Sequence, residues 1–123
     1  MAYMTDRKRA LGLGSAKTGT AHHWHMTLTS YALVILTPLF LIVLGGAFGQ
    51  PHDAVTAHFA RPFNAVVTGL MLAVGFNHFR HGVQVAIEDY TDGLTRKLLI
   101  VAMVCLSYGA MATGLFALAR LAL

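Results

Sequence analysis

This sequence is poor in charge: 5 Asp and Glu and 9 Lys and Arg in 123 residues, 11% in all. A soluble domain of this size would have to hide 56% hydrophobic residues behind that small polar complement, at an unfavourable ratio of surface to volume. Cysteine is nearly absent. The single Cys105 excludes an intrachain disulfide and argues against a thiolate metal site; within its apolar run it reads as a small packing residue. A phosphate loop is missing too, because Gly14-Ser15-Ala16-Lys17-Thr18-Gly19-Thr20 lacks the Gly-Lys-Ser/Thr ending. The net charge of +4 does not point to nucleic acid, since the basic residues form no stripe and no aromatic platform accompanies them.

What the chain does have is long apolar runs and a mean hydropathy of +0.62. A membrane-spanning helix takes about 20 mostly apolar residues to cross roughly 30 Å of hydrocarbon. The pattern therefore predicts an all-α membrane protein with three transmembrane helices, at about 26–48, 63–88 and 95–121. Residues 1–25 form a basic N-terminal arm, and 26–123 form the membrane domain. The first run is too long for the apolar core of a signal peptide. The Gly49-Gln50-Pro51-His52-Asp53 cluster predicts a turn, with loop continuing to Arg61-Pro62, and Thr91-Asp92-Gly93 predicts a short one. Three spans leave no room for a nucleotide-binding or hydrolase domain, so chemistry must lie within the membrane or on partner subunits.

The second span carries the polar residues: Asn77, His78, Arg80, His81 and Gln84. On a helical wheel Val74, Gly75, Gly82, Val85 and Asp89 fall within about 60° of His78. Ionisable groups inside a span are costly and tend to face a bundle interior. A His between two glycines suits a flat, bulky cofactor, and haem iron is commonly held by an imidazole. The plainer alternative is an interhelical hydrogen bond, and wheel geometry does not choose between His78 and His81. Arg80 points to the other side, where it either snorkels toward the membrane surface or reaches a haem propionate.

The run His78-Phe79-Arg80-His81-Gly82-Val83-Gln84-Val85-Ala86-Ile87-Glu88-Asp89-Tyr90 resembles the signature of the small hydrophobic membrane anchors of succinate dehydrogenase, respiratory complex II. That family has a haem-ligating His, Gly four residues on, and an Asp-Tyr pair eleven and twelve residues on. The resemblance selects His78 over His81 and covers essentially the whole chain. It implies that His78 is an axial ligand of haem b, with the other ligand coming from a second three-helix membrane anchor packed around the same haem. It implies that Tyr90 and Asp89 belong to a ubiquinone site, and that flavoprotein and iron–sulfur subunits dock on this anchor and oxidise succinate. The arm is similar to the lead-in of alphaproteobacterial members. Many of those carry an Arg just inside the first span, where this chain has Met26-Thr27-Leu28-Thr29. His22, His23 and His25, together with Arg80, are the candidates left for contact with the propionates.

Two other functions are compatible with three polar-poor spans. One is a cytochrome b-type anchor of a fumarate reductase or another dehydrogenase. The other is a small proton or solute transport subunit with His78, His81 and Asp89 as a relay, although no acidic residue lies in the outer half of any span to extend the path. The first and third spans read as packing elements, with Gly45 and Gly49 a GxxxG pair, Ala110 and Gly114 a small-xxx-small pair, and Pro38 a bend. Arg7, Lys8, Arg9, Lys17, Arg96 and Lys97 flank one membrane face, against Arg61 and Arg120 on the other. The bias puts the N-terminus inside, in a bacterial inner membrane in preference to a mitochondrial one. A tag on the N-terminus is accordingly expected to resist protease in sealed right-side-out vesicles, and digestion there would reverse the topology.

Overall fold

The computed structural model describes residues 5–12 and 19–123; Lys17 and the Gly14–Thr18 stretch lie outside them. Five helices follow one another: α1 (Asp6–Leu11), α2 (Gly19–Gly45), α3 (His52–Phe59), α4 (Pro62–Tyr90) and α5 (Gly93–Ala122), with no strand among the described residues. α1 is a short exposed helix in the arm, capped by the Thr5 hydroxyl, which accepts from the Lys8 N–H at 3.3 Å.

α2 and α5 are each long and apolar enough to cross a membrane. α4 is interrupted by its polar residues and meets that description only as a bent pair with α3, the two turning by 83°. At 29 residues, about 44 Å, α4 has ample length for a span. It is the centre of the fold. α2 packs on one side of it and α5 on the other, and among the described residues α2 and α5 do not pack on each other. The interior is correspondingly small: Val43, Phe59, Val67 and Met103 are the buried apolar side chains, and most large hydrophobics face outward. That inversion is what a lipid or partner-facing surface requires.

Several expectations change. α2 begins at Gly19, about two turns ahead of Met26, so the arm's three histidines sit on the helix. The expected loop after the first span contains α3, because Val55 and Phe59 recur at helical spacing and pack with Val43 and Val67. Gly45 closes α2 while Gly49 lies beyond it at φ 72°, so the GxxxG pair shares no helix face. Gly114 does make a close contact: a Cβ there would lie 3.3 Å from Leu72 of α4. Cys105 is exposed on α5 instead of packed.

The end of α2 is closed by a hydrogen-bond exchange with α3. A helix leaves its last four carbonyls without intrahelical partners. Those of Ile42, Leu44 and Gly45 accept from the N–H groups of Gly46, Ala47 and Phe48. The remaining carbonyl, on buried Val43, accepts from Nε2–H of His58 at 2.9 Å. Asn64 Nδ2 then donates to the His58 carbonyl at 2.8 Å, tying α4 to the same corner. The imidazole lies so close that a Cβ on Gly46 would come within 2.9 Å of it. His58→Leu should cost about 1–3 kcal/mol by leaving a buried carbonyl unpaired. An unchanged thermal unfolding temperature of the purified protein in detergent would show that this latch adds nothing to stability.

Candidate functional site

α2 and α4 run antiparallel and meet along a polar seam. On α2, His22, His25 and Thr29 recur at i, i+3 and i+7 and so share one stripe. His23 projects elsewhere and is exposed. On α4, His78 and His81 are one turn apart and half-buried. The Thr29 hydroxyl is 2.8 Å from Nδ1 of His78. One turn toward the α4–α5 turn, the rings of His22 and His25 stand edge-on to His81, with centroids 4.9 and 4.8 Å away.

Arg80 is held on the opposite side by α5. Its guanidinium lies 5.4 Å from the centre of the Tyr108 ring, a cation–π distance. From there its Nη2 donates to Nε2 of His81 at 2.7 Å. Arg80 is thus drawn inward between α4 and α5 and points back at the histidines. Nε2 of His22, Nε2 of His25, Nδ1 of His81 and Nε of Arg80 are buried and have no hydrogen-bond partner among the described residues. Four such nitrogens around one seam form a concentration of unmet polar demand in an apolar chain. No group of three or more His, Cys, Asp or Glu among the described residues is arranged to hold a bare metal ion.

Asp89 and Tyr90 occupy the last turn of α4, away from the seam, and both are exposed, Tyr90 by 88%. They are about 16 Å along the helix from His78. Asp89 lies on the His78 face, whereas Tyr90 is rotated about 120° from it, to the side of Phe79 and Phe76. An apolar groove of about 400 Å³ lies on that side, lined by Phe76, Phe79, Ile87, Leu99, Met103 and Leu106. Arg96 secures this end. It donates to the carbonyls of Thr91 at 2.6 Å and Glu88 at 3.0 Å and to the Asp92 carboxylate at 2.6 Å. A cation there also complements the C-terminal end of the α4 dipole. Gly93, at φ 60°, makes the reversal into α5.

The structure therefore joins His22, His25, Arg80 and His81, brings His78 alongside them through Thr29, and keeps Asp89, Tyr90 and His23 apart. Thr29 and Tyr108 are not among the residues expected from sequence, where His81 is only a rival to His78. The His22-x-x-His25-x-x-x-Thr29 spacing is the available signal for the α2 face. The expectation that the first span is purely structural gives way, since its N-terminal half supplies one wall of the seam.

A model of the family described as succinate dehydrogenase/fumarate reductase transmembrane subunit matches residues 1–111. The succinate dehydrogenase hydrophobic membrane anchor subunit of Paracoccus denitrificans is 46% identical over 123 residues, 100% of this chain and 95% of that protein. The protein of the same name from Rickettsia bellii (strain RML369-C) is 29% identical over 97 residues, 77% of each chain. No solved structure matches the chain.

Proposed function

This chain belongs to the succinate dehydrogenase/fumarate reductase transmembrane subunit family, and from that premise we propose that it anchors a succinate:quinone oxidoreductase, ligates haem b through His78 and shapes a ubiquinone site with Asp89 and Tyr90. Flavoprotein and iron–sulfur subunits would oxidise succinate, and a second three-helix membrane anchor would supply the other haem ligand. The assembly would lie in a bacterial inner membrane with the N-terminus of this chain inside.

The observation that carries this reading is the seam between α2 and α4. His78 stands between Gly75 and Gly82, and a Cβ added at either glycine would meet nothing within 4 Å. The unpaired nitrogens of His22, His25, His81 and Arg80 lie one turn from it, where carboxylate groups would satisfy them. These residues suit haem b: His78 for the iron, and His22, His25 and Arg80 for the propionates, with His81 within the same group. His23, exposed and turned away, is the weakest of the three α2 histidines for that role. Haem b, when bound, supplies a centre that takes up and releases single electrons.

The quinone reading rests on Tyr90. An exposed phenol at a helix end is a free hydrogen-bond donor for a carbonyl, and Asp89 beside it can accept or relay a proton as the quinone is reduced. The apolar groove on the Tyr90 side of α4 is compatible with an isoprenoid tail. Arg96 holds the turn that carries both residues.

Two substitutions test the two sites separately. His78→Leu should abolish or perturb the b-type haem band in a reduced-minus-oxidised spectrum of the complex; an unchanged band would reject the ligand role. Tyr90→Phe should slow quinone reduction about tenfold, the worth of one hydrogen bond of roughly 1–1.5 kcal/mol, with succinate oxidation by an artificial acceptor intact. If both rates stay normal, Tyr90 is only an interfacial anchor.

A further inference from the structure

We infer that Thr29 is the positioning residue of the haem ligand: its hydroxyl fixes His78 in the tautomer protonated at Nδ1 and so presents a bare Nε2 to the iron. The inference rests on the reading of His78 as the ligand and goes beyond it, because it assigns a ring nitrogen to each task and a second residue to the site.

Protons at the seam can be counted. A threonine hydroxyl has one proton to donate and lone pairs to accept with. The Thr29 oxygen lies 2.9 Å from the His25 carbonyl and 3.0 Å from the Met26 carbonyl, and carbonyls only accept. The Met26 carbonyl already takes the Ser30 hydroxyl at 2.8 Å, which leaves His25 as the natural recipient of the Thr29 proton. With its proton spent along α2, the Thr29 oxygen faces Nδ1 of His78, 2.8 Å away, as an acceptor. Nδ1 must then carry the hydrogen and donate it. A neutral imidazole holds one ring proton, so Nε2 is left with its lone pair, which is the state an iron ligand needs.

Sequence and fold both contribute. Thr29 is seven residues beyond His22 on the stripe of α2 that faces α4, and the antiparallel packing sets it level with His78. The back-bond to His25 is a local habit of threonine in helices, and here it orients the lone pairs outward. The contact is part-buried between two helices of an apolar chain, where a neutral hydroxyl suffices as a partner. Such an outer partner restrains the ring's rotation and raises the basicity of the ligating nitrogen, which favours the oxidised iron.

The test uses the complex purified with its native partner subunits, in Thr29→Val, Thr29→Ala, Thr29→Ser and His78→Leu forms. Two readouts are independent of turnover: the haem-to-flavin ratio after detergent washing, and the haem midpoint potential from a redox titration of its visible band. Val and Ala should lower haem affinity roughly 10–100-fold and shift the potential upward, while Ser, which keeps the hydroxyl, should stay close to the parent. Val and Ala complexes that assemble only without haem, beside a Ser complex that retains it, are the same result at its limit. Parental haem content and potential in Val and Ala would overturn the inference, as would a Ser variant that fails along with them, since the methyl group would then be what matters. Haem retained with an unchanged band in His78→Leu would instead strike down the ligand assignment, an outcome distinct from either of these.

Discussion

The structure depends on one constraint: in an apolar solvent, polar groups must find each other. Hydrocarbon offers no hydrogen bonds, so a span that carries polar side chains must turn them toward a neighbour. α4 carries two histidines and an arginine at mid-length, and α2 answers with His22, His25 and Thr29 at helical spacing. That match sets the register of the two helices, with Thr29 opposite His78 and the other two histidines around His81. The match is incomplete, and it leaves four buried nitrogens without a hydrogen-bond partner among the described residues.

The same constraint shapes both ends of the bundle. At one end His58 takes the Val43 carbonyl that α2 cannot pair. At the other Arg96 takes carbonyls at the end of α4, and in doing so holds the turn beside Asp89 and Tyr90. Between these ends, outside the polar seam, the contacts are apolar and shallow, as when Leu72 lies against Gly114. With α4 flanked on two sides and its helices largely exposed, the chain offers wide apolar faces, the form expected of a subunit that is completed by partners and lipid.

Much of this is legible in the sequence. Apolar runs give the helical class and the approximate spans, because hydrophobic length is a one-dimensional property. The His78…Gly82…Asp89-Tyr90 spacing points to the family, since those residues lie along a single helix and sequence distance there is spatial distance. What lies on two helices is not legible. His22 and His25 stand out as candidates without their partner, and Thr29 figures only as part of a stretch that lacks an Arg. α3 reads as loop because its turn residues dominate, whereas the Val55–Phe59 packing that makes it a helix depends on Val43 and Val67 elsewhere in the chain.

The sequence by itself determined that this protein is helical, that it belongs in a membrane, and which helix carries the conspicuous chemistry. Tertiary structure decided which nitrogen of His78 meets Thr29, why Arg80 turns back from Tyr108 toward His81, and that the first long helix forms one wall of the polar seam. The reason is physical. Hydropathy and helical period are carried within a segment, but a hydrogen bond between α2 and α4 depends on the register of two helices, which packing alone can set.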